Sequence, residues 1–280
     1  MNIKKTTLSL ALLASCFIVT GASAESEVKN TPEQTLEAFN KKISQASPGL
    51  GPNSTKLDFT IEGFQKEFGD NYLPVELSGQ RYIIDTEASV VMETSKTYMF
   101  NTKNELLSVN DVLVKLELLS DKAKDFTISH TLPEGVEKKA DLFVLTDPTC
   151  GYCHKVEEEV EQYLNSGVVI HYVPYPRAGI VDVTNAGFSL WAKAACAAEP
   201  AKAYHDVSLR KGSYADPESP DAACTEIIKK GYAFGRKINI SGTPFMFAVD
   251  NAGDSFSSAG YVPYTDMTEQ LGIRSINLAK

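Results

Sequence analysis

Thr146-Asp147-Pro148-Thr149-Cys150-Gly151-Tyr152-Cys153-His154-Lys155 is the stretch on which the reading of this chain turns. It ends a run, residues 142–146, that reads as a buried strand. It leads into a segment, residues 150–165, in which Val156, Val160, Tyr163 and Leu164 share one helical face. Asp147-Pro148-Thr149 turns the chain between the two, so Cys150 opens a helix. A nucleophilic thiol gains from that position. The positive end of the helix dipole and its free backbone N–H groups stabilise a thiolate, bringing a cysteine pKa from about 8.5 into roughly the 3.5–7.5 range. Cys153 lies on the same face one turn in, placed to attack a mixed disulfide formed at Cys150. Gly151 and Tyr152 between them are redox-tuning positions.

Two blander readings compete. An inert staple across so short a loop gains little chain entropy, which disfavours it. Half of a zinc site would need further ligands, yet there is no second C-x-x-C and no H-x₃₋₅-H; His130, His171 and His205 stand alone in sequence. No metal and no cofactor is therefore expected.

Beyond the dithiol helix, residues 168–173 read as a second strand, parallel to the first through a right-handed crossover. A largely helical stretch covers residues 183–237, then a hairpin of 245–249 and 255–260, then a last helix over 265–271. That order, βαβ, helices, ββα, predicts a thioredoxin-like α/β domain with a helical insertion. Phe188, Trp191 and Tyr204 are expected in its core. Tyr172 and Tyr175 suit either core or cleft. Glu157-Glu158-Glu159 reads as a solvated helix face near a helix start, where negative charge is favourable.

Working back toward the N-terminus, residues 110–122 predict a second amphipathic helix, with Val109, Val112, Leu113, Leu116 and Leu119 apolar. Before it, residues 73–77, 81–85, 89–93 and 97–101 predict an antiparallel meander with Ser78-Gly79 as its clearest turn. Residues 48–72 are ambiguous: Pro48, Gly49, Gly51, Pro52 and Asn53 mark a loop, while Phe59, Ile61, Phe64 and Phe68 call for burial. Residues 30–47 predict a helix with Thr31 as N-cap, Pro32 at its first position and Gln34 completing a capping box. A sheet this small needs something to lean on, the next domain or a second copy of itself.

The first residues, a basic Met1–Lys5, an apolar run from Thr6 to Gly21 and Ala22-Ser23-Ala24, have the layout of a secretory signal peptide cleaved near Ala24. A membrane anchor fits less well, because the apolar run is short for a bilayer. A lipoprotein signal around Leu13-Ala14-Ser15-Cys16 is a further alternative, opposed by the apolar residues after Cys16. The expected division is 1–24 signal peptide, 25–107 a small α+β domain, 108–122 a linker helix and 123–280 the catalytic domain. Cleavage leaves 25 Lys and Arg against 36 Asp and Glu, a formal charge of −11, which argues against nucleic acid or an anionic membrane as main partner. Four cysteines then remain, and an even number in an exported chain implies disulfides, with three possible pairings.

The segment around the dithiol resembles the active site of the periplasmic disulfide isomerases of the DsbC/DsbG family, its Gly-Tyr pair lying on the DsbC side. Ile240-Ser241-Gly242-Thr243-Pro244 resembles the family's cis-proline loop, and Tyr175-Pro176-Arg177-Ala178-Gly179 the segment after its second strand. Sequence statistics alone favour a trans Thr243–Pro244 bond, since only about 5–6% of X–Pro bonds are cis; the resemblance implies cis. It also implies that Thr243 and Pro244 bind an extended client segment through backbone. It supports Cys196 and Cys224 as a structural disulfide, worth about 3.5 kcal/mol by chain-entropy arithmetic. Finally, it implies a homodimer through residues 25–105, a DsbD-like membrane reductase, misoxidised exported proteins as clients and the periplasm of a Gram-negative bacterium. The departure from the family is the extra length of residues 25–71, which could cap the edge of the meander.

The same dithiol would also serve an oxidase or a specialised reductase, which redox potential and the oxidation state in cells separate from an isomerase. From another class, a holdase chaperone would keep full protective activity after Cys150→Ala.

Overall fold

The computed structural model describes residues 29–273, apart from 48, 51, 52 and 220. The expected signal peptide and the loop residues Pro48, Gly51 and Pro52 lie outside the described residues. No helix among the described residues is long and apolar enough to cross a membrane.

Around the dithiol the chain builds a five-stranded sheet. Its members are β7 (Ile128–Ser129), β8 (Ala140–Thr146), β9 (Val168–Pro174), β10 (Phe245–Asp250) and β11 (Ser255–Ala259), in the order β11-β10-β8-β9-β7. β8 and β9 run parallel, pairing Leu142 with Ile170; the other neighbours are antiparallel. Both faces of the central strands are covered, so the middle of β8, Leu142–Leu145, is an unbroken apolar run whose side chains alternate between two cores. Ala140, Leu142 and Val144 join one core with Tyr172, Trp191, Tyr204 and Met246. Phe143 and Leu145 join the other with Val114, Leu118, Phe234 and Phe247.

The first core is closed by α4 (Gly151–Glu158), α5 (Val160–Asn165), α6 (Ala186–Ala195), α7 (Pro200–Ser208) and α9 (Tyr264–Gln270). The second is closed by α8 (Glu226–Lys237) together with the helix that precedes β7. Gly231 and Gly235 let α8 lie flat on the end of β9. A Cβ at Gly231 would stand 2.7 Å from Pro174 O, and one at Gly235 2.4 Å from the Tyr175 ring. Phe188, Trp191, Tyr204, Tyr172 and Tyr175 are all buried, which resolves the two tyrosines as core.

The continuous helix expected over 150–165 is interrupted. Cys150 is its N-cap, and it breaks at Glu159, whose carboxylate accepts from Tyr261 OH (2.8 Å) and Tyr264 N–H (3.1 Å). The expectation of a solvated acidic face also fails. Glu157 is 2% exposed and Glu159 half-buried, leaving only Glu158 in solvent. Glu157 falls four residues after Cys153 on the inward face, where Tyr172 and His205 meet one of its oxygens and the other has no hydrogen-bond partner among the described residues.

N-terminal to this sheet, α1 (Pro32–Ala46) carries both hydrogen bonds of the Thr31–Gln34 capping box. The ambiguous segment forms β1 (Thr55–Leu57) and α2 (Ile61–Phe68), followed by β2 (Tyr72–Leu77), β3 (Gln80–Asp85) and β4 (Val91–Glu93). The sheet order is β1-β2-β3-β4, all antiparallel, with Ser78 and Gly79 both at positive φ (53° and 76°) in the two-residue turn. The expected fourth meander strand belongs elsewhere: β5 (Tyr98–Phe100) pairs with β6 (Leu106–Ser108) as a separate ribbon. A 3₁₀ turn over Thr94–Lys96, held by Thr97 Oγ1 donating to Glu93 O at 2.6 Å, carries the chain away from β4.

α3 (Val109–Leu118) stops four residues short of the expected end and is followed by a 3₁₀ turn, Asp121–Asp125. Its first half packs Val109, Val112 and Leu113 on Phe64, Phe68 and Ile83; its second half gives Val114 and Leu118 to the five-stranded sheet. Beside it, wholly buried Arg81 donates to Asp58 Oδ2 (2.7 Å) and to Glu117, and Glu117 also accepts from Lys237 Nζ at 2.6 Å. This charge cluster joins β3, α3 and α8. Such a cluster contributes little net stability, but loss of one partner costs about 3–5 kcal/mol because the others stay buried and unpaired.

Candidate active site

The end of β8 aims the dithiol. Asp147, 1% exposed, accepts at Oδ1 from Thr149 N–H and Oγ1 (both 2.7 Å) and at Oδ2 from Arg177 N–H (2.8 Å) and Nε (3.1 Å). One carboxylate thus holds the turn before Cys150 against the segment after β9. His154 Nε2 lies 2.9 Å from Pro148 O and pins the other side of the turn.

Cys150 and Cys153 are both free and buried, 3% and 0% exposed, whereas Tyr152 between them is 62% exposed. The Cys150 thiol lies 3.3 Å from Thr243 O, to which it donates when protonated. The Thr243–Pro244 bond is cis, as the resemblance implied and sequence statistics did not. Hydrogen bonding from the Cys153 thiol is the largest influence drawing the Cys150 pKa down, to about 5. Burial opposes it, and Thr243 with the backbone N–H groups of Cys153 and Tyr152 assists. The Thr243 hydroxyl is buried and makes no hydrogen bond of its own among the described residues, which leaves it free to turn to a Cys150 thiolate. Cys153 is pushed far up, first by burial and then by the hydrogen bond and charge of Cys150. One sulfur is therefore a thiolate at neutral pH while the other keeps its proton.

Beneath the pair lies a polar layer that sequence reasoning did not find. Thr146 hydrogen-bonds Cys153, and its Oγ1 lies 2.5 Å from Tyr204 OH, while Thr146 O accepts from Trp191 Nε1 (3.1 Å). Tyr204 stacks on Trp191 and leans on Tyr172. Tyr172 OH donates to Glu157 Oε2 (2.8 Å), which also faces His205 Nδ1 (3.1 Å). His130 Nε2 lies 3.0 Å from the same Tyr172 hydroxyl. Burial raises the Glu157 pKa against the opposing His205 and Tyr172 hydrogen bonds, and burial lowers that of His130 to about 4. The available signal was the spacing of Glu157 from Cys153, one helical turn on the buried side.

Cys196 and Cys224 are joined, with Cα atoms 5.1 Å apart, linking the end of α6 to the 3₁₀ turn before α8. No cluster of three His, Cys, Asp or Glu side chains suited to a metal ion occurs among the described residues.

A family model described as a thioredoxin-like domain matches residues 133–272. The chain is 30% identical over 212 residues to the thiol:disulfide interchange protein DsbC of Salmonella typhimurium, covering 74% of this chain and 78% of that one. It is 28% identical over 199 residues to the protein of the same name from Escherichia coli K12, covering 69% and 73%. Among solved structures it is similar to a disulfide interchange protein from Neisseria gonorrhoeae, at 23% identity and a TM-score of 0.38 over 53% of this chain and 94% of that one.

Proposed function

This chain belongs to the thioredoxin-like DsbC family of thiol:disulfide interchange proteins, enzymes that isomerise disulfides, and on that premise we propose that Cys150 is its attacking thiolate and Cys153 its resolving thiol. The observation that carries this reading is the position of Cys150. It caps α4 within reach of two backbone N–H groups, the Cys153 thiol and the Thr243 hydroxyl, all of which favour its thiolate.

The Cys150 thiolate attacks one sulfur of a client disulfide. A bond forms between the two sulfurs, the client S–S bond breaks, and the departing client sulfur leaves as a thiolate that takes a proton from water. That freed thiol can attack another disulfide of the same client, which isomerises it and regenerates Cys150. Alternatively Cys153 attacks the mixed disulfide, which reduces the client and oxidises the dithiol. Once Cys150 is tied in a neutral disulfide, its charge and hydrogen bond no longer hold up the Cys153 pKa. Cys153 therefore becomes a better nucleophile at the moment it is needed. Thr243 and Pro244 would hold an extended client strand through backbone, leaving side-chain selection there low. Gly151 and Tyr152, both exposed, tune the poise of the pair.

Clients are misoxidised exported proteins in the periplasm, reached after signal-peptide cleavage near Ala24. For isomerisation the dithiol must be kept reduced there, a task for a membrane reductase of the DsbD kind. A second copy of the chain fits the N-terminal unit, residues 25–107. β1 caps the β2 edge of the sheet, but among the described residues β4 remains an edge, with Val91 in it and Val90 just before it 50% and 46% exposed. The neighbouring β5–β6 ribbon exposes Tyr98, Phe100 and Leu106. An unpaired edge flanked by apolar side chains favours strand pairing with another chain. The Cys196–Cys224 bond is structural in this scheme.

Refolding of a scrambled multi-disulfide substrate by the purified protein, with its mass measured in solution, tests the reading. A dimer that restores the native pairing is expected. A monomer that fails to rescue the substrate defeats it.

A further inference from the structure

Beside the dithiol is a cavity of about 520 Å³. Its near wall is the active-site turn itself, Pro148, Thr149 and His154. Its far wall is the loop after α7, with Arg210 and Lys211, and Lys193 of α6 stands between. The chain carries a formal charge of −9, yet the charges around this mouth are basic. Nearby acids are already engaged. Asp216 pairs with Lys193 at 3.3 Å, and Asp206 Oδ2 takes Lys202 Nζ (2.6 Å) and Tyr214 OH (2.5 Å). Arg210 and Lys211 are exposed and have no ion-pair partner among the described residues.

The placement of Arg210 carries the argument. α7 ends with Lys211 N–H on Asp206 O (2.7 Å) and Arg210 N–H on Val207 O (3.3 Å), the pattern in which the residue after the cap turns left-handed. Arg210 takes that conformation, φ 57°. Glycine is the usual residue there because a side chain costs backbone strain. The chain instead sets a guanidinium at the rim of the cavity, and the adjacent Lys211 adds a second cation.

We propose that this cavity is a client subsite that takes the carboxylate of an Asp or Glu side chain close to the client cysteine engaged by Cys150. The proposal rests on the thiol-exchange reading above. A guanidinium fork matches a carboxylate in two parallel hydrogen bonds, with Lys211 as a second charge. The subsite gives side-chain selection that the backbone contact at Thr243 does not.

The test uses the reduced full-length protein and two peptides, each with one cysteine in mixed disulfide with 2-mercaptoethanol. The cysteine is flanked by Glu in one peptide and by Gln in the other. Rates of transfer to Cys150 are compared at low and at molar salt. The Glu peptide should react roughly five-fold faster at low salt, the gain expected of two exposed ion pairs, and the advantage should shrink in molar salt. In an Arg210→Gly/Lys211→Ser variant the ratio of the two rates should approach one. Glycine suits the left-handed position, so this variant keeps the loop. Equal rates for the two peptides in the unaltered protein, or an advantage undiminished in the variant, overturns the proposal. A protein that exchanges with neither peptide overturns the thiol-exchange reading and the subsite with it.

Discussion

The chain holds two cysteine pairs in one domain, and the fold gives them opposite chemistry. Cys150 stands at the N-terminus of α4, where backbone N–H groups and a neighbouring thiol stabilise negative charge. Cys196 stands at the C-terminus of α6, where its own N–H bonds back to Ala192 O and the helix presents carbonyls. A thiolate is favoured at the first position and disfavoured at the second, through the sign of the helix dipole and the donors available. The partners differ too. Cys153 is one turn away and buried, whereas Cys224 lies 28 residues on and closes a loop around α7. The same side chain meets opposite fields according to which end of a helix it stands at, and on the proposal above one pair is a reagent and the other a tether.

Removing the reagent should give the largest effect. Cys150→Ala should lower the rate of substrate refolding by more than roughly 10³-fold, as loss of a nucleophile commonly does. Protection of an unfolded client from aggregation, measured alongside, separates exchange from holdase action; full rescue of refolding by the alanine variant would break the contrast. Next comes the tether. Cys196→Ala with Cys224→Ala should cost about 3.5 kcal/mol in denaturant unfolding and leave alkylation of Cys150 unaltered.

A smaller and sharper test is the pH profile of Cys150 alkylation. With its pKa lowered to about 5, the thiolate and hence the rate persist well below neutrality and fall as pH drops through about 5. An ordinary cysteine already loses reactivity below about 8.5. Thr243→Val should move the inflection upward, since a hydrogen bond to the thiolate is lost. The smallest effect is expected from Glu157→Gln. Burial raises the Glu157 pKa, so its folded form favours the proton. The stability it confers is present below the unfolded glutamate value and is lost as pH rises through the folded one. The Gln variant should lack that loss, seen as a flatter dependence of unfolding midpoint on pH across this window.

Much of this was legible along the chain because it is local. The Thr31–Gln34 capping box, the Ser78-Gly79 turn and a cysteine pair at a strand–helix junction are each specified within four or five residues. The apolar run 142–145 likewise reads as a buried strand, although the split of its side chains between two cores does not show in it. What was misread depends on the other side of a contact. Glu157-Glu158-Glu159 looks like three solvated acids, and only the positions of Tyr172, His205 and Tyr261 show that two of them turn inward. The strand at Tyr98–Phe100 reads as part of the meander, but pairing depends on where the preceding 3₁₀ turn sends it.

Sequence by itself determined that Cys150 opens a helix with a partner thiol one turn on, because helix periodicity and turn chemistry act over a few residues. Tertiary structure alone decided what surrounds those sulfurs. It brings Thr243 from 93 residues away to within 3.3 Å of Cys150, Arg177 onto Asp147, and a layer of hydroxyls and Glu157 beneath. A thiol's pKa is set by donors, charges and burial in space, and chain order does not record these. The dithiol, with an expected attacking and an expected resolving sulfur, was legible from the start; the donors and burial that drive the two pKa values apart were not.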